Sequence, residues 1–384
     1  MTIPDFHKRF NNKRLAMKTS VTTPDSKKEK LPDSKRAWKK IEVVGIVLLG
    51  VCLLLLMFSP TSLSGLFNSI MESVQPVVVD VFLTGVVGTA IIVSVIIGRL
   101  LERLGFTDAL VRIFVPAMKL IGVNPAVIIP SVYNIFGDIN AAGKISGPIL
   151  KRAGATKDEQ KLAIATMVQS QQSFSTFMLG MMALTFAGVN VFVVVLLAVF
   201  MPLIVSPLLL SKLLYRDVKR VEIGNLPTFT PERDFLPTMF SAAREGVELL
   251  LLILIPAVAL VFAVIGVLDY IGIWATIESS LGSVMLFLNI HPETGVLSIL
   301  VSPTLAMGQL QAMAGEIDPS LVVGSFVLAS SGLPLSAVFG QVPVVWAESS
   351  DLSEREAMGA AVLGITMRLA TAFLIAFFVT PLVV

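Results

Sequence analysis

The chain has 384 residues, 55 % of them hydrophobic and only 15 % charged. A soluble domain carries about 25 % charged residues, so this composition excludes an ordinary soluble enzyme. The net charge of +2 conceals a basic tail joined to an apolar body, because residues 1–40 hold 12 Lys/Arg and 4 Asp/Glu of the 56 formal charges.

One cysteine, Cys52, and two histidines, His7 and His291, rule out an internal disulfide and a thiolate or His-rich metal centre. Residues 1–40 have no apolar core and do not read as a signal peptide. They read as a basic, disordered, cytoplasmic tail. Residues 41–58 follow as a first span of the signal-anchor kind. Basic residues beside a first span hold a tail inside, which leaves no role for a nucleic-acid partner.

Lys and Arg are absent from 41–98, from 162–211 and from 245–354. Since positive residues stay inside, each gap is one excursion outward and back. Gap one holds spans at 41–58 and 77–98, with Glu72 in an outer loop. Gap two holds spans at 162–186 and 191–211. Gap three holds a span out at 246–266 and one back at 320–346, and 358–380 exits again. The expected chain is an all-α polytopic membrane protein with about seven full spans, a cytoplasmic N-terminus and an outer C-terminus. A cytoplasmic linker, 212–245, divides it.

Residues 107–140 and 277–314 each hold two short apolar stretches, broken at Gly122-Val123-Asn124-Pro125 and at Asn289-Ile290-His291-Pro292. Stretches of 10–14 residues read as re-entrant legs, so two hairpins are expected. Arg112 and Lys119 give the first leg a second reading, along the interface. Residues 77–211 and 246–380 then share one order of elements while starting on opposite sides. That is a pair of gate-like units in inverted topology, an architecture of secondary transporters.

Candidate chemistry lies where the spans are interrupted. Gln169-Ser170-Gln171-Gln172-Ser173-Phe174-Ser175 places six neutral polar residues in an apolar segment. The equivalent run, Ala329-Ser330-Ser331-Gly332-Leu333-Pro334-Leu335-Ser336, combines hydroxyls with a permissive Gly332 and with Pro334, which lacks an N–H. Both suggest broken helices whose N-termini hold an oxygen-bearing group and whose freed carbonyls hold a cation. The competing reading is packing glue between helices. Gln169, Ser170, Gln172, Ser173, Ser330, Ser331 and Gly332 are therefore candidate solute ligands. Asn134, Asp138 and Asn140 join them at one hairpin exit, and Gln309 and Gln311 at the other. Asp138 also reads as a helix cap.

Arg368 lies ten residues inside the last span, where a charge is costly. It reads as facing a polar cavity, binding an anionic group or pairing with Glu348 or Asp80. Glu245 and Glu248 read as charges at a helix start. No Walker loop, paired-His helix or Ser/His/Asp set occurs, so no catalytic residue, metal or cofactor is expected. A coupling ion, Na+ or H+, is compatible with the broken helices. The expected partners are a small solute and the lipid bilayer, with room for a homo-oligomer or a membrane-protein partner.

These segments resemble the nucleoside-recognition, or gate, domain family, which includes the YjiH-type bacterial membrane proteins. Residues 125–154 carry the resemblance, above all Asn134-Ile135-Phe136-Gly137-Asp138-Ile139-Asn140-Ala141-Ala142-Gly143, followed by 169–180. It covers 80–210, and 246–380 more loosely. Related gate regions occur in concentrative nucleoside transporters, ferrous-iron transporters and spore-maturation membrane proteins. The resemblance implies a bacterial inner-membrane protein with hairpins and broken helices that handles a small solute, in one version nucleoside-like. A non-transporting scaffold or regulator of the spore-maturation type is the alternative. The family's nucleoside transporters place an acid in the hairpin or broken-helix site, whereas 169–175 and 330–336 contain none. Its iron transporters use cysteine there, and Cys52 lies outside both units.

Single cysteines at Ser280 and Lys157, in a Cys52→Ser background, are predicted to label from outside and from inside respectively. Labelling of both from one face refutes the inverted arrangement.

Overall fold

A computed structural model of the chain describes residues 39–137, 139–219, 228–232, 234–331 and 334–384; almost all of the basic tail, Leu333 and, among the candidate ligands, Asp138 and Gly332 lie outside that set. The chain divides into two compact units, Met1–Leu63 and Ser64–Val384. The first holds helix α1, Lys40–Phe58, whose residues are almost all exposed apolar side chains. The absence of a polar face suits a helix surrounded by lipid.

The second unit is built from helices and short helical turns. Helix α2 is Pro60–Leu83, α3 Val86–Arg103 and α4 Phe106–Ile121. A 3-10 turn, Pro125–Ile128, leads into α5, Ile129–Phe136, and α6 is Ile139–Arg152. Helices α7, Lys157–Gln169, and α8, Phe174–Phe186, are the halves of one broken helix, and α9 is Val191–Leu213. Helix α10, Phe235–Tyr270, is followed by α11, Trp274–Phe287, α12, Pro292–Leu300, and α13, Pro303–Met313. A second broken helix is α14, Pro319–Ala329, with α15, Val342–Ser349, and the chain closes with α16, Glu354–Val383. Among the described residues α1, α2, α9, α10 and α16 are long and apolar enough to cross a membrane.

Caps fix where these helices start. Thr156 and Ser353 form capping boxes with Glu159 and Glu356 ahead of α7 and α16. Ser173, Asn190, Ser302 and Asp318 cap α8, α9, α13 and α14 through their side chains.

Two buried apolar clusters organise the packing. Core A gathers α4, α5, α6, α7, the end of α9, α15 and the start of α16. Core B gathers α3, α8, the start of α9, α13, α14 and the end of α16. The first broken helix therefore runs from core A to core B, and the second from core B to core A. Helices α9 and α16 likewise cross in opposite senses. This is the inverted repeat, with both breaks at the boundary between the cores.

The two halves also lean on one another. Helix α6 packs on α15 at Gly143, where an added Cβ would lie 2.9 Å from Trp346 Nε1. Helix α8 meets α14 at Gly180, where it would lie 2.5 Å from the Phe326 ring. At the ends of α7 and α16, Gln160 donates to Asp351 Oδ2 and accepts from the Asp351 N–H, both at 2.9 Å. That bond, with Lys151 alongside, holds the Asp351 carboxyl below its ordinary range.

The expected break points of the hairpins shift by one element. Gly122 to Pro125 separates α4 from the hairpin, and the first tip lies at Gly137, between α5 and α6. Helix α4 is amphipathic and buries Val111, Phe114 and Met118. In the second half the 289–292 bend separates α11 from α12 at 111°, while the tip lies at Val301-Ser302. Glycine, asparagine and proline mark both kinds of bend, so composition alone did not rank them. Glu72 sits within α2 instead of in a loop, and the span expected at 77–98 is interrupted at Thr84-Gly85.

Gly180→Ala forces a methyl into the Phe326 ring, an overpacking that costs about 1–3 kcal/mol. The prediction is a lower unfolding temperature in detergent, and an unchanged one would show that α8 and α14 part easily.

Candidate functional site

The first break spans 170–173. Ser170 is extended and Ser173 has a positive φ of 53°, a left-handed backbone that turns the chain sharply into α8. These residues leave N–H groups without helical partners, and other segments supply them. The Gln172 N–H donates to Ser330 O at 2.7 Å, joining the two breaks directly. The Ser173 N–H donates to Asn134 O at 3.0 Å, joining the break to the first hairpin. The Gln171 amide turns back on the carbonyls of Gln172 and Ser173 at 2.8 and 3.3 Å.

A cavity of about 390 Å³ opens beside this junction. The first hairpin tip supplies Phe136 and Gly137, and the second Ser302, Pro303 and Thr304. Gln172, Ser173, Phe174 and Ser175 form the central floor, and α3 and α10 form the opposite wall. Phe136 and Phe174 stack with centroids 5.8 Å apart and planes 20° apart. Gly98 of α3 lies against Phe174. The N-termini of α8 and α13 both end at this cavity, and Thr176 and Thr304 share a hydroxyl bond of 3.1 Å between them. Helix N-termini favour electron-rich groups. Stacked rings beside hydroxyls and an amide can hold a flat ring that carries polar substituents.

The residues expected from sequence divide into groups. Gln172 and Ser173 line the cavity, and Gln172 Oε1 is buried with no partner among the described residues. Asn134 lies just behind, its carbonyl bound to the break, its Nδ2 3.5 Å from Met167 O and its Oδ1 buried without a partner. Gln169 is a strut, accepting from Ser206 Oγ on α9 and donating to Thr371 Oγ1 on α16 at 2.9 Å. Ser170, Ser330 and Ser331 turn their hydroxyls onto their own helices, at Met167 O, Phe326 O and Leu328 O. Ser330 contributes only its carbonyl to the junction. Asn140 donates to Gln341 at 3.0 Å, away from the cavity. Gln309 and Gln311, partly exposed on α13, are not among the residues that line it.

Arg368 is fully buried, yet it pairs with neither Glu348 nor Asp80, both of which are exposed. Its Nε donates to Val327 O at 2.5 Å and its Nη1 to Ala198 O at 2.6 Å. Pro202 cannot donate to the carbonyl four residues back, which is Ala198. Val327 lies in the last turn of α14, where carbonyls are left over. The guanidinium thus fills two vacancies in the backbone ladder.

Sequence reasoning missed the charged wall. Glu245 lies three turns into α10, not at its start, and chelates Arg99 of α3, with Nε to both carboxylate oxygens at 3.0 and 3.2 Å. Arg99 Nη1 reaches Glu102 at 2.7 Å. Arg99 closes one Lys/Arg gap just as residue 245 opens another. The gap pattern therefore predicts both positions at the same membrane face, a signal that could have paired them.

No protein-family model and no curated protein sequence matches the chain. Solved structures do. A variant of the concentrative nucleoside transporter CNTnw in an outward-facing state matches with a TM-score of 0.57 over 88 % of this chain and 86 % of that one, at 15 % identity. A CNTnw variant in an intermediate state matches with a TM-score of 0.55 at 13 % identity, covering 88 % and 85 %. Another outward-facing variant gives 0.54 at 15 % identity, covering 87 % and 85 %. The chain has the fold of these membrane transporters.

Gln169→Leu removes both ends of a buried strut; Thr371 keeps its bond to Met367 O, but leaving the buried Ser206 hydroxyl without its acceptor costs about 1–3 kcal/mol. Gln172→Ala removes an amide oxygen that has no partner among the described residues. Thermal unfolding in detergent should separate them, with Gln169→Leu clearly less stable and Gln172→Ala close to the parent. Equal losses would assign Gln172 to the scaffold.

Proposed function

We propose that the protein is a secondary transporter or facilitator of a small, uncharged, nucleoside-like solute, working by alternating access in a bacterial inner membrane with the N-terminus inside. The observation that carries this reading is the cavity itself. Both hairpin tips, the first break and two capped helix N-termini converge on one space, and a stacked pair of phenylalanines floors it. Its inner face offers the Gln172 amide and the hydroxyls of Ser173, Ser175, Ser302 and Thr304. That mixture suits a base-like ring stacked on Phe136 and Phe174 with hydroxyl groups bound beside it.

No acid occurs in either break, so recognition rests on neutral hydrogen bonds, with the charges of Arg99, Glu245 and Glu248 confined to one wall. Gln172 is the direct ligand in this reading and Ser173 holds the turn that presents it. Asn134, Gln169, Ser170, Ser330 and Ser331 support the junction from behind. The Asn134 and Gln171 amide oxygens, buried and without partners among the described residues, are groups suited to a coupling cation.

Purified protein in proteoliposomes should accumulate or exchange radiolabelled uridine or another nucleoside from a panel. Gln172→Ala should lower that flux by more than about tenfold, the scale for removing a hydrogen bond made to a polar substrate group, while Ser331→Ala should stay near the parent. Absence of uptake and of binding across the panel would overturn the solute class. Equal flux in Gln172→Ala would overturn the site.

A further inference from the structure

A second cavity, of about 310 Å³, lies beyond the Arg99–Glu245 pair. Its walls are Glu102, Phe229, Pro231, Thr238, Ser241 and Ala242, and it shares Arg99 and Glu245 with the central cavity. The same two side chains therefore bound both spaces. They are joined by a bidentate ion pair whose side chains are 32 % and 45 % exposed, so the pair is wetted. We propose that this pair is a side-chain septum across the solute path, and that the second cavity is a further solute station reached when the septum parts.

Two contacts support a side-chain device over a helix movement. Helices α3 and α10 are clasped where Gly246 meets Ile92, since an added Cβ would lie 3.0 Å from Ile92 Cα. Arg103 lies over the Phe235 ring at 6.0 Å, tying the same two helices near their other contact. Backbones so close cannot open without losing packing, whereas two long wetted side chains reorient readily.

The wall of the second cavity is also built, not incidental. Asp108 accepts from the Phe229 and Thr230 N–H groups at 2.8 and 3.0 Å, and from the Thr230 hydroxyl. The Phe229 ring meets Tyr133 of α5 at 5.9 Å, and α5 leads directly to the Phe136 tip of the central cavity. One short helix thus touches both stations. An aromatic ring beside the Thr238 and Ser241 hydroxyls repeats the chemistry of the central floor, so the second station suits the same class of solute. The station rests on the transport reading, but the septum does not require it.

The test needs no solute. In a Cys52→Ser background, single cysteines replace Ser175 in the central cavity or Ser241 in the second, and a membrane-impermeant thiol reagent is added to one face of sealed vesicles. With the pair intact, Ser241→Cys should label from the face that carries Lys151 and Arg152, and Ser175→Cys should resist labelling from that face. Adding Arg99→Gln and Glu245→Gln should speed labelling of Ser175→Cys from that face roughly fivefold, the shift that loss of a solvent-facing ion pair produces. An unchanged rate, or fast labelling with the pair intact, overturns the septum. Should the double variant fail to fold, Glu245→Gln alone, which leaves Arg99 its bond to Glu102, gives the same comparison. Labelling that follows the pair in a protein that moves no nucleoside keeps the septum and discards the transport reading. Nucleoside flux with labelling indifferent to the pair does the reverse.

Discussion

Every break in an apolar helix frees backbone groups, and in a dry interior each unpaired one costs about 1–3 kcal/mol. Lipid offers no substitute for water. The architecture follows from how those groups are satisfied. The freed Gln172 N–H finds the freed Ser330 carbonyl, so the two breaks must meet. The Ser173 N–H finds Asn134, so the first hairpin must reach the break. Pro202 exposes Ala198 O, and the end of α14 exposes Val327 O, and Arg368 answers both. A buried guanidinium is ordinarily balanced by a carboxylate; here two carbonyl dipoles at a proline and a helix C-terminus receive it.

The same logic explains why the cavity is neutral. The groups nearest to it are those left over after the backbone is paired: the Gln172 amide, the hydroxyls of Ser302 and Thr304, and two capped helix starts. Formal charge stays on α3 and α10, where Arg99 and Glu245 neutralise each other. In the proposed reading the deep polar side chains and the rim charges have separate tasks, orientation of a solute and division of its path.

Much of this was legible in the sequence, and the reasons are specific. The Lys/Arg gaps marked the apolar stretches that hold α1, α9 and most of α10, because charge is excluded from lipid, but they did not show that 60–83 is one helix or that 77–98 is interrupted. The run 169–175 located the first break because three glutamines in four positions cannot all face one partner. The hairpin tips were misplaced by one element, since Asn124-Pro125 and Ile290-His291-Pro292 look like tips but are bends that follow α4 and α11. Side-chain direction was not legible either. Ser330 and Ser331 sit in the right place, yet both hydroxyls fold back on their own helix. Arg368 was visible as an anomaly, but its partners are carbonyls, which no pattern of side chains announces, although Pro202 marked one of them. The Arg99–Glu245 pair was missed because each was read alone as a flank.

The crossing of the broken helices between cores A and B bears on the order of synthesis. Core A takes α5, α6 and α7 from the first half, but also Val338, Val342, Trp346, Leu352 and Ala357 from the second. A nascent chain that ends before residue 338 therefore holds its first hairpin against an open apolar trough. The early half must wait in the bilayer, with Gly143 and Gly147 uncovered, until residues 338–357 have been made. A truncated gene product would not be half of this fold, because neither half encloses a core of its own.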